Sequence, residues 1–457
     1  MLESAVKRLA QEGLAHTRPT RRAVQAAGRD VSSAGVRQAT LTADRSLVKE
    51  ITTKAEAAVL KNPTLRNKVT FHVDAATSHA AMLESIRTSE KSFFIETFIW
   101  HNDEAGNEVI QALADRIKRA KAEGKTFDAK VLIDWFGLRQ GTGGNSDAQI
   151  VDKLRAVGVD VLEFARGYID ERKLIPITHR KFYIKDGTSF MTGGRNIGDE
   201  YGKKTFTNPK GVVEPAWHDL LYTVEGEETG RIINEFFRNW KRAGGVVPEV
   251  KPTIVPHATG RTKIESFITD PHVKIRTLAK AHYDLVANAE REIIVMYPYL
   301  SDDQFVKQLI KAKKKNPALS IKVILPANKE ASAEGGVYSL LNKETARQLM
   351  KHGVEVRMFA GGVVDGKAVE RFSHFKGFVV DRKIVSVGSA NGDARTFKNN
   401  HELNTVIADT ATAADFLRQV ADKDWAVATP LTKADLQADT FWVRCKQRVL
   451  ELLDFLL

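Results

Sequence analysis

Two stretches of this sequence, 195 residues apart, carry the same chemistry in the same order, and few folds are compatible with that. His179, Lys181, Asp186, Gly193 and Asn196 in "THRKFYIKDGTSFMTGGRN" recur as His374, Lys376, Asp381, Gly388 and Asn391 in "SHFKGFVVDRKIVSVGSAN". The register extends upstream, where Gly158, Val159, Val161 and Phe164 recur as Gly353, Val354, Val356 and Phe359. A solenoid unit repeats every ~20–50 residues, so an offset this long marks a duplicated domain. A chance match to the six-residue pattern is expected in roughly one chain per 10⁵. Two matches in register exclude coincidence.

Each half alternates strand and helix signals, which predicts a layered α/β fold. In the first half, "SFFIETFIW" (92–100) reads as a buried strand, "NEVIQALADRIKRAKAEG" (107–124) as a helix with a glycine stop, and "AKVLID" (129–134) as a strand. In the second, "EIIVMYPYL" (292–300) and "SIKVIL" (320–325) are strands around the helix "SDDQFVKQLIKAKKK" (301–315), with Ser301 as the expected N-cap. "AGGVVPEVKPTIVPHATG" (243–260), with three prolines and three glycines, separates the halves. The expected units are a basic N-terminal extension (1–67), a first lobe (68–245), a linker (246–261), a second lobe (262–430) and an amphipathic C-terminal helix (431–457).

The net charge is +12, and residues 1–70 hold 13 Lys/Arg against 6 Asp/Glu with no Phe, Trp or Tyr. That segment reads either as a polar extension or as a basic arm for an anionic surface. At the other end, Val449, Leu452, Leu453, Leu456 and Leu457 form one helical stripe behind Arg444, Lys446 and Arg448. The stripe fits docking on the protein's own core or lying in a membrane interface. No run approaches the roughly 18 apolar residues of a membrane span, and the first residues show no apolar signal core. The single cysteine, Cys445, excludes an internal disulfide and a multi-cysteine zinc site.

On a strand, residues i and i+2 share a face, so His179 pairs with Lys181 and His374 with Lys376. Asp186 and Asp381, the carboxylates of the motif, are catalytic candidates as well as turn residues, and a turn aspartate ordinarily binds local backbone. Gly193 and Gly388 end each hairpin where backbone can approach a ligand closely. Two lysines, two asparagines and two imidazoles across a pseudo-twofold axis suit a phosphodiester. One imidazole attacks phosphorus; the other protonates the leaving alcohol and then activates the incoming one. Lysines and asparagines hold the non-bridging oxygens. No carboxylate or His/Cys constellation for a metal is evident, so metal independence and no cofactor are expected.

The doubled pattern resembles that of the phospholipase D superfamily over about residues 68–457. "GGRNIGDEY" (193–201), "AWHDL" (216–220), "FIWHNDEAG" (98–106) and the ending "WVRCKQRVLELLDFLL" are most similar to bacterial cardiolipin synthases. The resemblance implies two similar α/β/α lobes with one active site at their interface and a ping-pong phosphohistidine mechanism. It makes His179 the nucleophile and His374 the acid/base. It adds Lys181, Lys376, Asn196, Asn391 and Ser389 as phosphate-binding positions. Gly194 stands where many members have serine. Glu402, 28 residues after His374, matches the family's acidic partner, and Asp219, beyond the interruption "GKKTFTNPKGVVEPA", is the candidate partner of His179.

Other residues keep two readings: His218 as substrate contact or core packing, and Trp100 and Trp217 as pocket lining or buried core. His72, His101 and His401 read as surface or packing histidines. The main expectation is phosphatidyl transfer between phospholipids on an anionic membrane surface, by a cytoplasmic, peripherally attached protein with no nucleic-acid partner and no required oligomer. The alternatives are hydrolysis to phosphatidic acid (in which case a secreted effector fits), a nuclease, and a non-catalytic scaffold.

Overall fold

The computed structural model describes residues 53–140, 147–165, 176–208, 211–248, 255–327, 335–364 and 367–437. Residues 1–52 of the basic extension, 249–254 of the linker, and 438–457, with Cys445 and the apolar stripe, lie outside the described residues.

The first lobe contributes strands β1 (Thr64–Val73), β2 (Ser92–Thr97), β3 (Asp128–Asp134), β4 (Asp160–Phe164), β5 (Phe182–Lys185) and β6 (Ser189–Gly193). A small hairpin, β7 (Thr205–Thr207) and β8 (Val213–Pro215), follows before β9 (Leu220–Gly226). The second lobe contributes β10 (Thr262–Asp270), β11 (Ile275–Arg276), β12 (Glu292–Met296), β13 (Ser320–Pro326) and β14 (Glu355–Phe359). A second hairpin, β15 (Gly361–Val364) and β16 (Lys367–Glu370), precedes β17 (Gly377–Val380), β18 (Ile384–Gly388), β19 (Glu402–Ala408) and β20 (Thr429–Pro430). Each lobe orders its strands identically: β4-β3-β2-β5-β6-β9-β1 in the first, β14-β13-β12-β17-β18-β19-β10 in the second. The innermost strands β1 and β10 pair antiparallel, so both lobes share one sixteen-stranded sheet.

The alternation of the strands explains the layers. Along β2, Phe94 faces one side and Phe93 and Ile95 the other, all buried. Phe94 joins a core that runs under both lobes and is sealed by Phe236 and Trp240 of the helix Thr229–Arg242 and by Phe416 of the helix Thr410–Phe416. On the other face each lobe has its own core, beneath Asp74–Arg87 and Glu104–Ala122 in the first lobe and beneath Thr277–Ala287 and Asp303–Lys315 in the second. Asp302, not Ser301, caps the last of these, accepting from the Phe305 N–H at 2.8 Å.

The expected boundary at residue 68 is displaced. β1 begins at Thr64, and the helix Lys54–Val59 buries Ala55 and Val59 in the core of the second lobe. The segment lacks aromatics, but small apolar groups at helical spacing suffice to cover an existing face. Among the described residues, no helix is long and apolar enough to cross a membrane.

Candidate active site

The motif histidines precede their hairpins rather than lying in them, and backbone from the opposite lobe fixes them there. The His179 N–H donates to the His401 carbonyl at 3.0 Å, and the His401 N–H to the Ile177 carbonyl at 2.8 Å. The second lobe mirrors this: the His374 N–H donates to the His218 carbonyl, and the His218 N–H to the Phe372 carbonyl, both at 2.8 Å. Each histidine is thus stitched to the residue just before the other lobe's acid. Glu402 Oε1 lies 2.9 Å from His179 Nδ1, and Asp219 Oδ2 lies 2.8 Å from His374 Nδ1.

The two acids expected from the sequence are therefore the two that meet the histidines, with the pairing exchanged. Asp219 faces His374 and Glu402 faces His179. Strand register makes the acids equivalents, since Gly193 pairs with Leu221 and Gly388 with Asn404. Each acid reaches across the pseudo-twofold, which sequence order within a lobe does not reveal.

Both imidazoles are buried, His179 at 9% exposure and His374 at 6%. With Nδ1 turned to a carboxylate, Nε2 is the nitrogen left for chemistry. Burial pushes the His179 imidazole down to about 4, against the pull of Glu402, and His374 down to about 3, with Lys376 adding to the effect. Each lysine also bears on the opposite lobe's histidine, Lys376 on His179 and Lys181 on His374, so the four groups share one site. Lys181 donates to the His179 carbonyl at 2.7 Å, and Lys376 Nζ lies 2.7 Å from His374 Nε2. Burial lowers both ammonium groups, Lys376 to about 8. Burial would raise Asp219, but His374, Lys376 and Arg195 hold it below its ordinary value.

Five of the residues named from the sequence take structural roles. Asp186 and Asp381 stand at the far ends of β5 and β17, away from the histidines. Asp186 accepts from the backbone N–H groups of Glu90, Lys91 and Ser92, and Asp381 from those of Glu290, Arg291 and Glu292. Both adopt φ 53°, where aspartate is better tolerated than most residues. They tie the hairpin turn to the start of the neighbouring strand, as the turn reading anticipated, and are not placed for catalysis. Gly193 and Gly388 are small for the neighbouring strand: a Cβ on either would strike the carbonyl of Leu220 or Leu403. The Ser389 hydroxyl is engaged with Glu402 Oε2 at 2.5 Å and accepts from the Leu403 N–H. In the first lobe a Cβ on Gly194 would collide with the Asp219 carboxylate, which explains the missing serine there.

The asparagines differ as well. Asn196 donates to the Tyr201 hydroxyl at 3.0 Å, whereas the buried Asn391 Oδ1 has no partner among the described residues. An aromatic wall, of which the sequence pointed only to Trp217, flanks the histidines. Phe98 packs edge-on to His179, while Tyr201 and Trp217 pack against His374 with centroids at 5.6 and 5.3 Å. The signal for Phe98 and Tyr201 lay in "FIWHNDEAG" and "GGRNIGDEY", stretches quoted above without roles for these two rings. Trp100 is core, with its indole N–H on the Gly106 carbonyl. Arg195, between Gly194 and Asn196, is buried with both terminal guanidinium nitrogens unpartnered among the described residues.

His218 is neither substrate contact nor inert packing. Its Nδ1 lies 2.7 Å from Asp74 and its Nε2 2.9 Å from Asp424 of the other lobe. Burial opposes its charge, yet the two carboxylates outweigh it and raise the imidazole to about 10. His101 is likewise raised to about 10 between Asp147 and Glu200. One group of metal-ligand type, not expected from sequence, forms from Asp270, His272 and His401. Arg242 already engages Asp270 at 2.7 Å, and Arg180, Arg242 and Arg238 act with burial to hold His401 uncharged. That surplus of positive charge disfavours a cation.

A duplicated α/β fold with two cross-braced His/Lys pairs in one buried site defines an enzyme of phosphodiester chemistry. Residues 283–425 match the family model "Cardiolipin synthase, PLD-like domain". It is 26% identical over 399 residues to a cardiolipin synthase of Clostridium perfringens (strain ATCC 13124), covering 85% of this chain and 77% of that one. It is 25% identical over 403 residues to the major cardiolipin synthase ClsA of Bacillus subtilis (strain 168), covering 85% and 75%. Its fold is similar to that of the phosphatidylserine synthase of Haemophilus influenzae Rd KW20, with a TM-score of 0.65 at 15% identity over 89% of this chain and all of that one.

Proposed function

We propose that the protein transfers a phosphatidyl group from one phospholipid to the hydroxyl of another, as a cardiolipin synthase does. The reading rests on the cross-lobe pairing of His179 with Glu402 and His374 with Asp219, which turns both Nε2 atoms to one site. His179 Nε2 attacks phosphorus; a P–N bond forms as the P–O bond to the leaving alcohol breaks, and His374 gives that alcohol its proton. The acceptor hydroxyl then returns a proton to His374 and attacks phosphorus, releasing His179. Lys181, Lys376, Asn196 and Asn391 hold the non-bridging oxygens as charge builds. The unpartnered Asn391 Oδ1 and Trp217 indole N–H are polar atoms suited to a substrate.

The substrates are bilayer lipids, so the protein works attached to the surface of an anionic membrane, on its cytoplasmic side. The test is product analysis. Purified protein with a chelator is incubated on phosphatidylglycerol vesicles, with and without phosphatidylethanolamine, and products are identified by mass spectrometry. Cardiolipin with free glycerol or ethanolamine is the expected result. Phosphatidic acid alone makes water the acceptor and overturns the transferase reading. Loss of turnover in both His179→Ala and His374→Ala is expected, and turnover in either excludes the two-histidine mechanism.

A further inference from the structure

The seven core strands of the two lobes match in order, but the connection that leads to the acid-bearing strand differs in length. Gly193 pairs with Leu221 across β6 and β9, 28 residues on, while Gly388 pairs with Asn404 across β18 and β19, only 16 residues on. The first lobe therefore carries twelve extra residues, and the β7–β8 hairpin accounts for most of them. The hairpin is a separate two-stranded sheet, and such a ribbon is marginal alone. Its base is held by the Ala216 N–H on the Lys204 carbonyl at 3.0 Å and the Trp217 N–H on the Glu200 carbonyl at 2.9 Å.

The register gives the hairpin two unlike faces. Phe206 pairs with Glu214 and packs edge-on to Trp217, whose ring lies against His374. Thr207 pairs with Val213 on the opposite face, which points to solvent. Val213 is 67% exposed and Val212, beside it at the tip, 52%. Toward the turn, Val212 donates to Asn208 Oδ1 at 3.0 Å, and its carbonyl accepts from the Asn208 N–H at 2.9 Å. From the second lobe, Phe372, just after the β15–β16 hairpin, meets Trp217 at 5.3 Å. The β7–β8 ribbon thus borders the wall beside His374 and presents two adjacent exposed valines.

We propose that the β7–β8 hairpin is a membrane-docking element that seats Val212 and Val213 among the lipids of an anionic bilayer and so presents the site to the headgroup layer. The inference deepens the proposed function and rests on it for the choice of partner. Charge complementarity favours an anionic lipid surface. Lys203 at the hairpin's base is taken up by Glu104 and Glu108, and the sequence beyond it, 204–215, still holds Lys204 and Lys210 against Glu214, within a chain of net charge +12. Apolar insertion plus electrostatic attraction is the usual pairing for interfacial binding.

The experiment compares wild type with Val212→Glu/Val213→Glu and with Val212→Ser/Val213→Ser, all exposed replacements checked by thermal melting. Two quantities are read: sedimentation with phosphatidylglycerol vesicles, and turnover of those vesicles against dihexanoyl phosphatidylglycerol dissolved as monomers. Expected is a fall in vesicle binding and vesicle turnover of about tenfold or more for the glutamate pair, less for the serine pair, with monomer turnover within about twofold of wild type. Vesicle binding equal to wild type in both variants overturns the docking role, as does an equal loss on monomers and vesicles. Wild type that turns over neither substrate overturns the proposed function instead, and the sedimentation arm still decides the hairpin.

Discussion

Asp219 holds His374, a residue of the opposite lobe, at 2.8 Å, and among the described residues no acid of the second lobe takes that place. The pairing makes a kinetic prediction. With a nitrophenyl phosphodiester, the leaving group needs no proton, so the first step depends on His179 and little on His374. Glu402→Gln should therefore lose the burst of nitrophenol, as His179→Ala does. Asp219→Asn should keep the burst and lose steady-state turnover by about 10–100-fold, the usual cost of an orienting partner. Rapid-quench measurement checks this, and the reverse pattern would restore pairing within each lobe.

Ser389 and Gly194 occupy equivalent positions and do opposite things. Ser389→Ala removes the hydroxyl that braces Glu402, so kcat should fall about tenfold with KM nearly unchanged. A phosphate-contact role would raise KM instead. Gly194→Ala should be far more damaging, because the added methyl displaces Asp219.

Asp186→Ala should cost stability rather than chemistry. It strips three backbone N–H groups of their acceptor, a loss of about 2 kcal/mol. Urea unfolding reads the loss; kcat of the folded variant should stay within about twofold.

The two sets of histidines give pH effects of opposite sign. His179 and His374 sit below their ordinary 6.5, so the unfolded chain binds more protons between there and pH 3–4. Their contribution is intact above pH 6.5 and is lost as pH falls toward 4. Thermal midpoints should drop over that window, and less steeply in His374→Gln. His218 is raised to about 10, so its contribution is intact below pH 6.5 and disappears as pH rises through 10. His218→Gln leaves Asp74 and Asp424 without their shared cation and should cost about 3 kcal/mol. The variant should flatten the alkaline limb of the stability profile.

Much of this architecture was legible because duplication writes itself into spacing. The 195-residue offset located both histidines, both lysines and the lobes, and the acids followed from equivalent places after each motif. The exchange of those acids was hidden, because the bridges from Thr178 to His401 and from His218 to Ser373 join segments far apart in the chain. The aspartates of the motif were hard to assign for another reason. A carboxylate beside a His/Lys pair in sequence is separated from it by a whole strand in space. The early start of the first lobe, at β1 and the preceding helix, was masked by an absence of aromatic residues.

The antiparallel join of β1 to β10 makes the molecule a dimer fused in one chain. Two identical subunits would have to keep identical surroundings for their two histidines, and any change would strike both at once. Fusion lifts that constraint. One half has come to use glycine with aspartate where the other uses serine with glutamate. One half carries a His218 that two carboxylates keep charged where the other carries a neutral His401, and the β7–β8 hairpin belongs to the first half. Such a chain is free to divide its labour, so that one imidazole specialises in bonding phosphorus and the other in moving protons.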